Sequence, residues 1–173
     1  MPGVDCRAEK GREDLRMASR ELKTGDKAPS FTLPADGGSK VSLAELKGKS
    51  VVLYFYPKDD TSGCTAEAIA FSKDSKAFKA AGTVVVGVSK DSAASHDKFK
   101  AKYDLSVTLV ADEETKTAEA YGVWVEKSMY GRRYMGMERA TYLIDDKGII
   151  RKIWRKVKVP GHSADVLAAA KAL

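Results

Sequence analysis

Residues 50–56, Ser-Val-Val-Leu-Tyr-Phe-Tyr, form a nearly unbroken apolar, β-branched and aromatic run. A strand with one wet face alternates apolar and polar side chains, whereas a continuous run needs cover on both faces. The segment is therefore expected to be a central strand with helices on either side of its sheet. Pro57 stops it, because proline cannot donate to a strand ladder. A polar turn follows over 58–63, and Cys64 stands where a helical pattern opens. Ala66, Ile69, Ala70, Ala77 and Phe78 recur at helical spacing until Gly82.

The rest of the chain fills in around that strand. Residues 31–33 and 40–41 read as short paired strands, and Ser42 with Glu45 as a capping box opening a short helix. Strands are expected at 83–88 and 107–110, and helices at 92–103 and 113–121, the latter with Ala118 and Tyr121 inward. Residues 139–144 and 148–157 read as a hairpin closed by Asp145-Asp146-Lys147-Gly148. Ser163 is placed as the cap of a last helix. Strand–helix alternation followed by antiparallel pairing predicts an α/β fold with a mixed central sheet and helices on both faces.

A chain of 173 residues suits one domain, expected over 22–173. Residues 1–21 are charged and poor in apolar side chains, and read as a disordered tail or an appended extension, with residues 1–16 lying upstream of a candidate start at Met17. This segment has no apolar core of a secretory signal, and Asp5, Glu9, Glu13 and Asp14 argue against a transit peptide. A reducing cytoplasm is the default compartment.

With 43% hydrophobic and 31% charged residues, and no run near the ~18 apolar residues of a membrane span, no membrane role is expected. The net charge of +6 raises nucleic acid as a partner, most of all at 151–158, where Trp154 sits among Arg and Lys. The plainer account is the solvated face of a strand, and no nucleic-acid motif accompanies it. Cys6 and Cys64 are too few for a disulfide scaffold or a zinc site, and His96 and His162 both read as solvated. No cofactor and no metal are indicated.

Chemistry must then come from few special residues, and Cys64 is the first candidate. A helix N-terminus presents unpaired amides and the positive end of the macrodipole. Thiolate is favoured there over thiol, and thiolate is the nucleophile. The competing account is a buried structural cysteine.

Pro57-x-x-x-Thr61-x-x-Cys64 resembles the active-site signature of the peroxiredoxins, thiol peroxidases on a thioredoxin-like fold. Residues 54–67 look most like the peroxiredoxin Q, or bacterioferritin comigratory protein, subfamily. Tyr121-Gly122-Val123-Trp124 and Glu138-Arg139-Ala140-Thr141-Tyr142-Leu143-Ile144-Asp145 agree with it. The resemblance runs from about residue 22 to the C-terminus. It implies that Cys64 attacks a hydroperoxide and becomes a sulfenic acid. It also implies that Thr61 hydrogen-bonds thiolate and peroxide, that Pro57 shields the sulfur, and that Arg139 places a permanent cation beside it. For Thr61 a plain N-cap, and for Glu67 a first-turn acid favoured by the dipole, are equally good accounts.

Two departures from the subfamily matter. Ser62 stands where proline is frequent, and Ile69 stands where many members carry a resolving cysteine, five residues after the nucleophile. The helix at 92–103 has no cysteine either. An external thiol is therefore expected to resolve the sulfenic acid: thioredoxin, glutaredoxin or a small thiol. The subfamily leans toward a monomer, with a weak dimer as the alternative. A dithiol oxidoreductase would need cysteine at position 61, where threonine stands. A peroxide sensor that signals through oxidised Cys64 needs the same activated thiolate and stays open as the alternative function.

Overall fold

The computed structural model describes residues 21–173, so Cys6 and the tail or extension expected before residue 21 lie outside the described part. Strands β1 (Thr32–Pro34) and β2 (Lys40–Ser42) form a small antiparallel pair. The main sheet contains β3 (Ser50–Phe55), β4 (Thr83–Ser89), β5 (Thr108–Ala111), β8 (Ala140–Ile144) and β9 (Ile150–Trp154). Between β5 and β8 the chain makes a separate two-stranded hairpin, β6 (Trp124–Met129) and β7 (Arg132–Met137). In the main sheet the order is β5-β4-β3-β8-β9, with β3 parallel to β4 and antiparallel to β8. The expected mixed sheet is thus present, and the apolar run is its middle strand.

Alternation along β3 divides the core in two. Val51, Leu53 and Phe55 meet Phe31, Val86, Val110, Tyr121 and Tyr142 on one face. Val52, Tyr54 and Tyr56 meet Phe71, Phe78, Phe99, Leu109 and Val166 on the other. Apart from Leu109 of β5, the partners on the second face come from helices α1 (Ser62–Lys73), α2 (Ser75–Ala80), α3 (Ala93–Tyr103) and α5 (His162–Lys171), while α4 (Lys116–Ala120) lies on the first face.

Several local expectations are corrected, each for a visible reason. Ser42 makes no capping bond: residues Leu43–Leu46 form only a 3-10 turn, and the Leu43 amide donates to the Phe31 carbonyl. The helix after Cys64 breaks in two at Asp74, whose carboxylate accepts from the Ser163 hydroxyl at 2.7 Å. That bond also explains why Ser163 is no cap; Gly161, at φ 76, occupies the N-cap position. Helix α4 is shorter than expected because Asp112 accepts from the Thr117 and Ala118 amides and closes its start. Neither histidine is solvated. His162 is 5% exposed and bonds Thr141 Oγ1 at 2.8 Å; burial pushes its pKa from 6.5 to about 4. His96 is fully buried.

Gly87 on β4 lies opposite Tyr54, and a Cβ there would fall 2.6 Å from Tyr54 Cζ and 2.8 Å from Leu109 Cδ2. Glycine at this position lets the Tyr54 ring lie across the neighbouring strand and stack on Phe71 at 4.7 Å. Gly87→Ala is expected to lower stability by about 1–3 kcal/mol, the usual range for overpacking a filled core. Urea unfolding measures it, and an unchanged midpoint would contradict this packing.

Candidate active site

The site is assembled where β3 ends. Burial of both its faces carries the chain to Tyr56 before Pro57, half-buried, turns it out of the sheet. Loop 57–61 is then held by buried polar bonds. Tyr56 donates its hydroxyl hydrogen to Asp59 Oδ1 at 2.5 Å, and Ser95 donates to Asp59 Oδ2 at 2.8 Å. His96 Nδ1 lies 2.7 Å from Asp59 Oδ2, and its Nε2 lies 2.9 Å from the Val110 carbonyl. The Asp59 amide donates to Asp91 at 2.8 Å. On the outer side, Lys102 and Tyr103 bond the carboxylate of Asp60, itself at φ 58. Helix α3 thus clamps the loop that delivers Cys64.

Helix α1 starts at Ser62, with Thr61 in extended conformation before it. Cys64 lies in the first turn, where amides have no helical acceptor, and it is 1% exposed. Arg139 immediately precedes β8, and the register Phe55↔Ala140 sets that strand's start beside the end of β3. Arg139 Nη2 donates to Cys64 Sγ at 3.2 Å, across 75 residues of sequence. Its Nη1 donates to Glu67 Oε1 at 2.9 Å. Residues 64 and 67 are three apart and share one helix face, so one guanidinium fork serves both. A Cβ at Gly63 would stand 3.1 Å from Arg139 Nη2, so glycine gives the fork its room.

The charges around Arg139 oppose and support one another. Burial works against the guanidinium charge, but Glu67 and Cys64 more than offset it and hold the Arg139 pKa above its ordinary value. Burial pushes the Glu67 carboxyl up to about 7, against the pull of Arg139. Its Oε2 is buried without a hydrogen-bond partner, as is the Tyr54 hydroxyl. Burial, then Glu67 and Cys64, raise the Tyr54 pKa well above 10.0, so this hydroxyl is neutral. A second cation stands by: Lys127 on β6 donates to the Met137 carbonyl, and burial followed by Arg139 lowers its pKa, while Cys64 acts in the opposite sense.

Cys64 and Arg139 are therefore brought together, and Pro57 lies in the turn leading to them. Thr61 occupies the N-cap position but its side chain makes no capping bond; its hydroxyl donates to the Lys58 carbonyl at 2.9 Å rather than to the sulfur. Glu67 is a buried partner of Arg139, not a surface acid of the first turn. Asp59 and Lys127 were not singled out in the sequence, and His96 was read there as solvated. The alternation along β3 points Tyr56 at Asp59, but nothing local distinguishes His96 or Lys127 from surface residues.

The chain is similar to known proteins in sequence and in fold. The AhpC/TSA family profile matches residues 24–153. A putative peroxiredoxin Bcp of Coxiella burnetii is 52% identical over 146 residues, covering 84% of this chain and 97% of that protein. Peroxiredoxin Bcp of Bacillus subtilis is 48% identical over 150 residues, covering 87% and 96%. The solved bacterioferritin comigratory protein of Xanthomonas campestris superposes with a TM-score of 0.79 at 43% identity, over 82% of this chain and 90% of that one. A cysteine in the first turn of a helix, held by an arginine from the neighbouring strand, thus sits in a thioredoxin-like peroxidase, and the chain belongs to the AhpC/TSA family as a peroxiredoxin of the Bcp, or peroxiredoxin Q, type.

Proposed function

We propose that this thiol peroxidase reduces hydrogen peroxide and organic hydroperoxides in the cytoplasm through a one-cysteine cycle at Cys64. The supporting observation is the guanidinium of Arg139 on a buried sulfur, 3.2 Å away. The thiolate attacks one peroxide oxygen: an S–O bond forms, the O–O bond breaks, and the departing oxygen takes a proton as water or alcohol. The guanidinium, already paired to the sulfur, is placed to stabilise the negative charge that moves onto that oxygen. Pro57 limits water at the sulfur, and Thr61, whose hydroxyl oxygen retains accepting capacity, orients the peroxide.

The product is a Cys64 sulfenic acid. Cys64 is the free cysteine of the described residues, and position 69 holds isoleucine. An external thiol therefore attacks the sulfenic sulfur, releasing water and leaving a mixed disulfide. A second thiol then releases Cys64 and carries away the disulfide. Thioredoxin, glutaredoxin or a small thiol fits this role. Because the sulfur is 1% exposed, a protein thiol reaches it only when the first turn of α1 opens, and that turn lacks a side-chain cap.

Peroxide consumption supported by dithiothreitol tests the cycle. Cys64→Ser is expected to abolish it and Cys6→Ser to leave it intact; turnover in Cys64→Ser would remove the peroxidase assignment. A protein that oxidises once and does not cycle would instead be a sensor. Arg139→Ala is expected to slow the peroxide step on the order of 100-fold, the loss typical of a charge-stabilising donor. Stopped-flow oxidation measures that step, and an unchanged rate would strip Arg139 of the role.

Glu67 adds a pH dependence to stability. Its folded-state pKa, about 7, lies above the ordinary 4.5, so the folded chain holds a proton that the unfolded chain has released. The stability this confers is full below about 4.5 and is lost as pH rises through about 7. Glu67→Gln is expected to flatten this dependence. Urea midpoints at about pH 5 and about pH 9 (roughly two units either side of the folded-state value) compare the two proteins, and parallel losses would contradict it.

A further inference from the structure

The hairpin of β6 and β7 is a two-stranded sheet of its own, outside the five-stranded one. Met129, Tyr130, Tyr134 and Met135 on it are large apolar side chains left in solvent. Tyr130 is 99% exposed and lies at φ 51; Gly131 follows at φ 77, in a two-residue turn between Met129 and Arg132. Turns with both central residues left-handed favour Asn-Gly or Asp-Gly. A tyrosine is strained there, and its ring buries nothing. Folding gains nothing from this choice, and such strain points to a function at the surface.

The hairpin is rooted at the active site. Strand β7 ends at Met137, two residues before Arg139, and Lys127 reaches the Met137 carbonyl across Gly136, where a Cβ would stand 3.0 Å from the lysine Cδ. The pairs Lys127↔Tyr134 and Met129↔Arg132 share one face, because directly opposed residues of an antiparallel pair point the same way. That face leads from the neighbourhood of Arg139 to the tip. Its six-residue strands span about 20 Å, within the width of a standard protein interface. The hairpin carries Lys127, Arg132 and Arg133 against Glu126 alone. Glu126 faces Arg133 at 3.6 Å, and no acid of the described residues is paired with Arg132.

We propose that this face, with Tyr130 at its tip, is the docking surface for the external reductant, an acidic dithiol protein of the thioredoxin type. The proposal rests on external resolution of the Cys64 sulfenic acid as set out above. A small thiol needs no such surface. A second copy of this chain would bring Arg132 and Lys127 against their own like charges, whereas an acidic partner meets them with opposite ones. The hairpin's root leads to Arg139, which bonds Cys64, so a partner seated there is close to the sulfur it must reduce.

Turnover with hydrogen peroxide, measured with an acidic thioredoxin recycled by its reductase and NADPH, and separately with dithiothreitol, tests this. Tyr130→Asn removes the ring and relieves the strained turn, so its thermal midpoint is expected to be at least that of the unaltered chain. Its KM for thioredoxin is expected to rise about fivefold or more, the loss typical of an interface aromatic. Dithiothreitol-supported turnover is expected to stay unchanged. Arg132→Glu should raise the same KM, by a factor that shrinks as salt is added. An unchanged thioredoxin KM in both variants would overturn the proposal, as would a thioredoxin unable to drive the unaltered chain while dithiothreitol does. A dimer of the unaltered chain that Tyr130→Asn converts to monomer, by sedimentation, would assign the face to self-association instead. Failure with dithiothreitol as well would fall on the peroxidase cycle itself, not on the hairpin.

Discussion

Cys64 is almost completely buried, and a sulfur out of water can act as an anion only where a counter-charge comes with it. Arg139 supplies that charge, and the sheet supplies Arg139. Its place depends on the antiparallel register of β8 on β3, with Phe55 opposite Ala140. A one-residue slip would turn every side chain of β8 to the other face. The central strand pairing is therefore part of the chemistry as well as of the fold. The planar fork of arginine also matters, since a lysine cannot donate in parallel to Sγ and to Glu67 Oε1.

The second requirement is that the thiol-bearing loop stay in place, and a buried polar cluster meets it. The Val110 carbonyl can only accept, so His96 Nε2 carries a hydrogen, and Nδ1 is left facing Asp59. Tyr56 and Ser95 donate to the same Asp59 carboxylate, so four buried polar side chains meet in one site. Removing one member would strand the others without partners, which costs more than the bond itself contributes. The loop is held from beneath by this cluster and from outside by the bonds of Lys102 and Tyr103 to Asp60.

What could be read from the sequence follows the same physics. Strand β3 was legible because burial on both faces leaves no polar positions, and the hairpin of β8 and β9 because its turn residues are specific. Cys64 at a helix start was legible from local chemistry alone. Arg139 was not, except through family resemblance, because its contact spans 75 residues. His96 misled because a lone histidine in a polar helix carries the same pattern whether it faces solvent or an aspartate. The β6–β7 hairpin escaped because only its root at Trp124 and Met137 packs on the core, and the exposed remainder has no hydrophobic period to detect. The short helix α4 was overextended because Asp112 closes it from outside the helix.

The residue at position 69 connects fold to cycle. Five residues along a helix is a rotation of about 140° from Cys64, so a thiol there would meet the sulfenic sulfur only after more than one turn had unwound. Ile69 instead packs partly buried against the cluster containing Phe71, Phe78 and Leu109. Burying part of an isoleucine favours the wound helix by about 1 kcal/mol or more. Under the proposed one-cysteine cycle this helix has no need to unwind past its first turn. Isoleucine at 69 and external resolution are then two sides of one change: the second turn becomes part of the core, and the work of approach passes to a partner from outside.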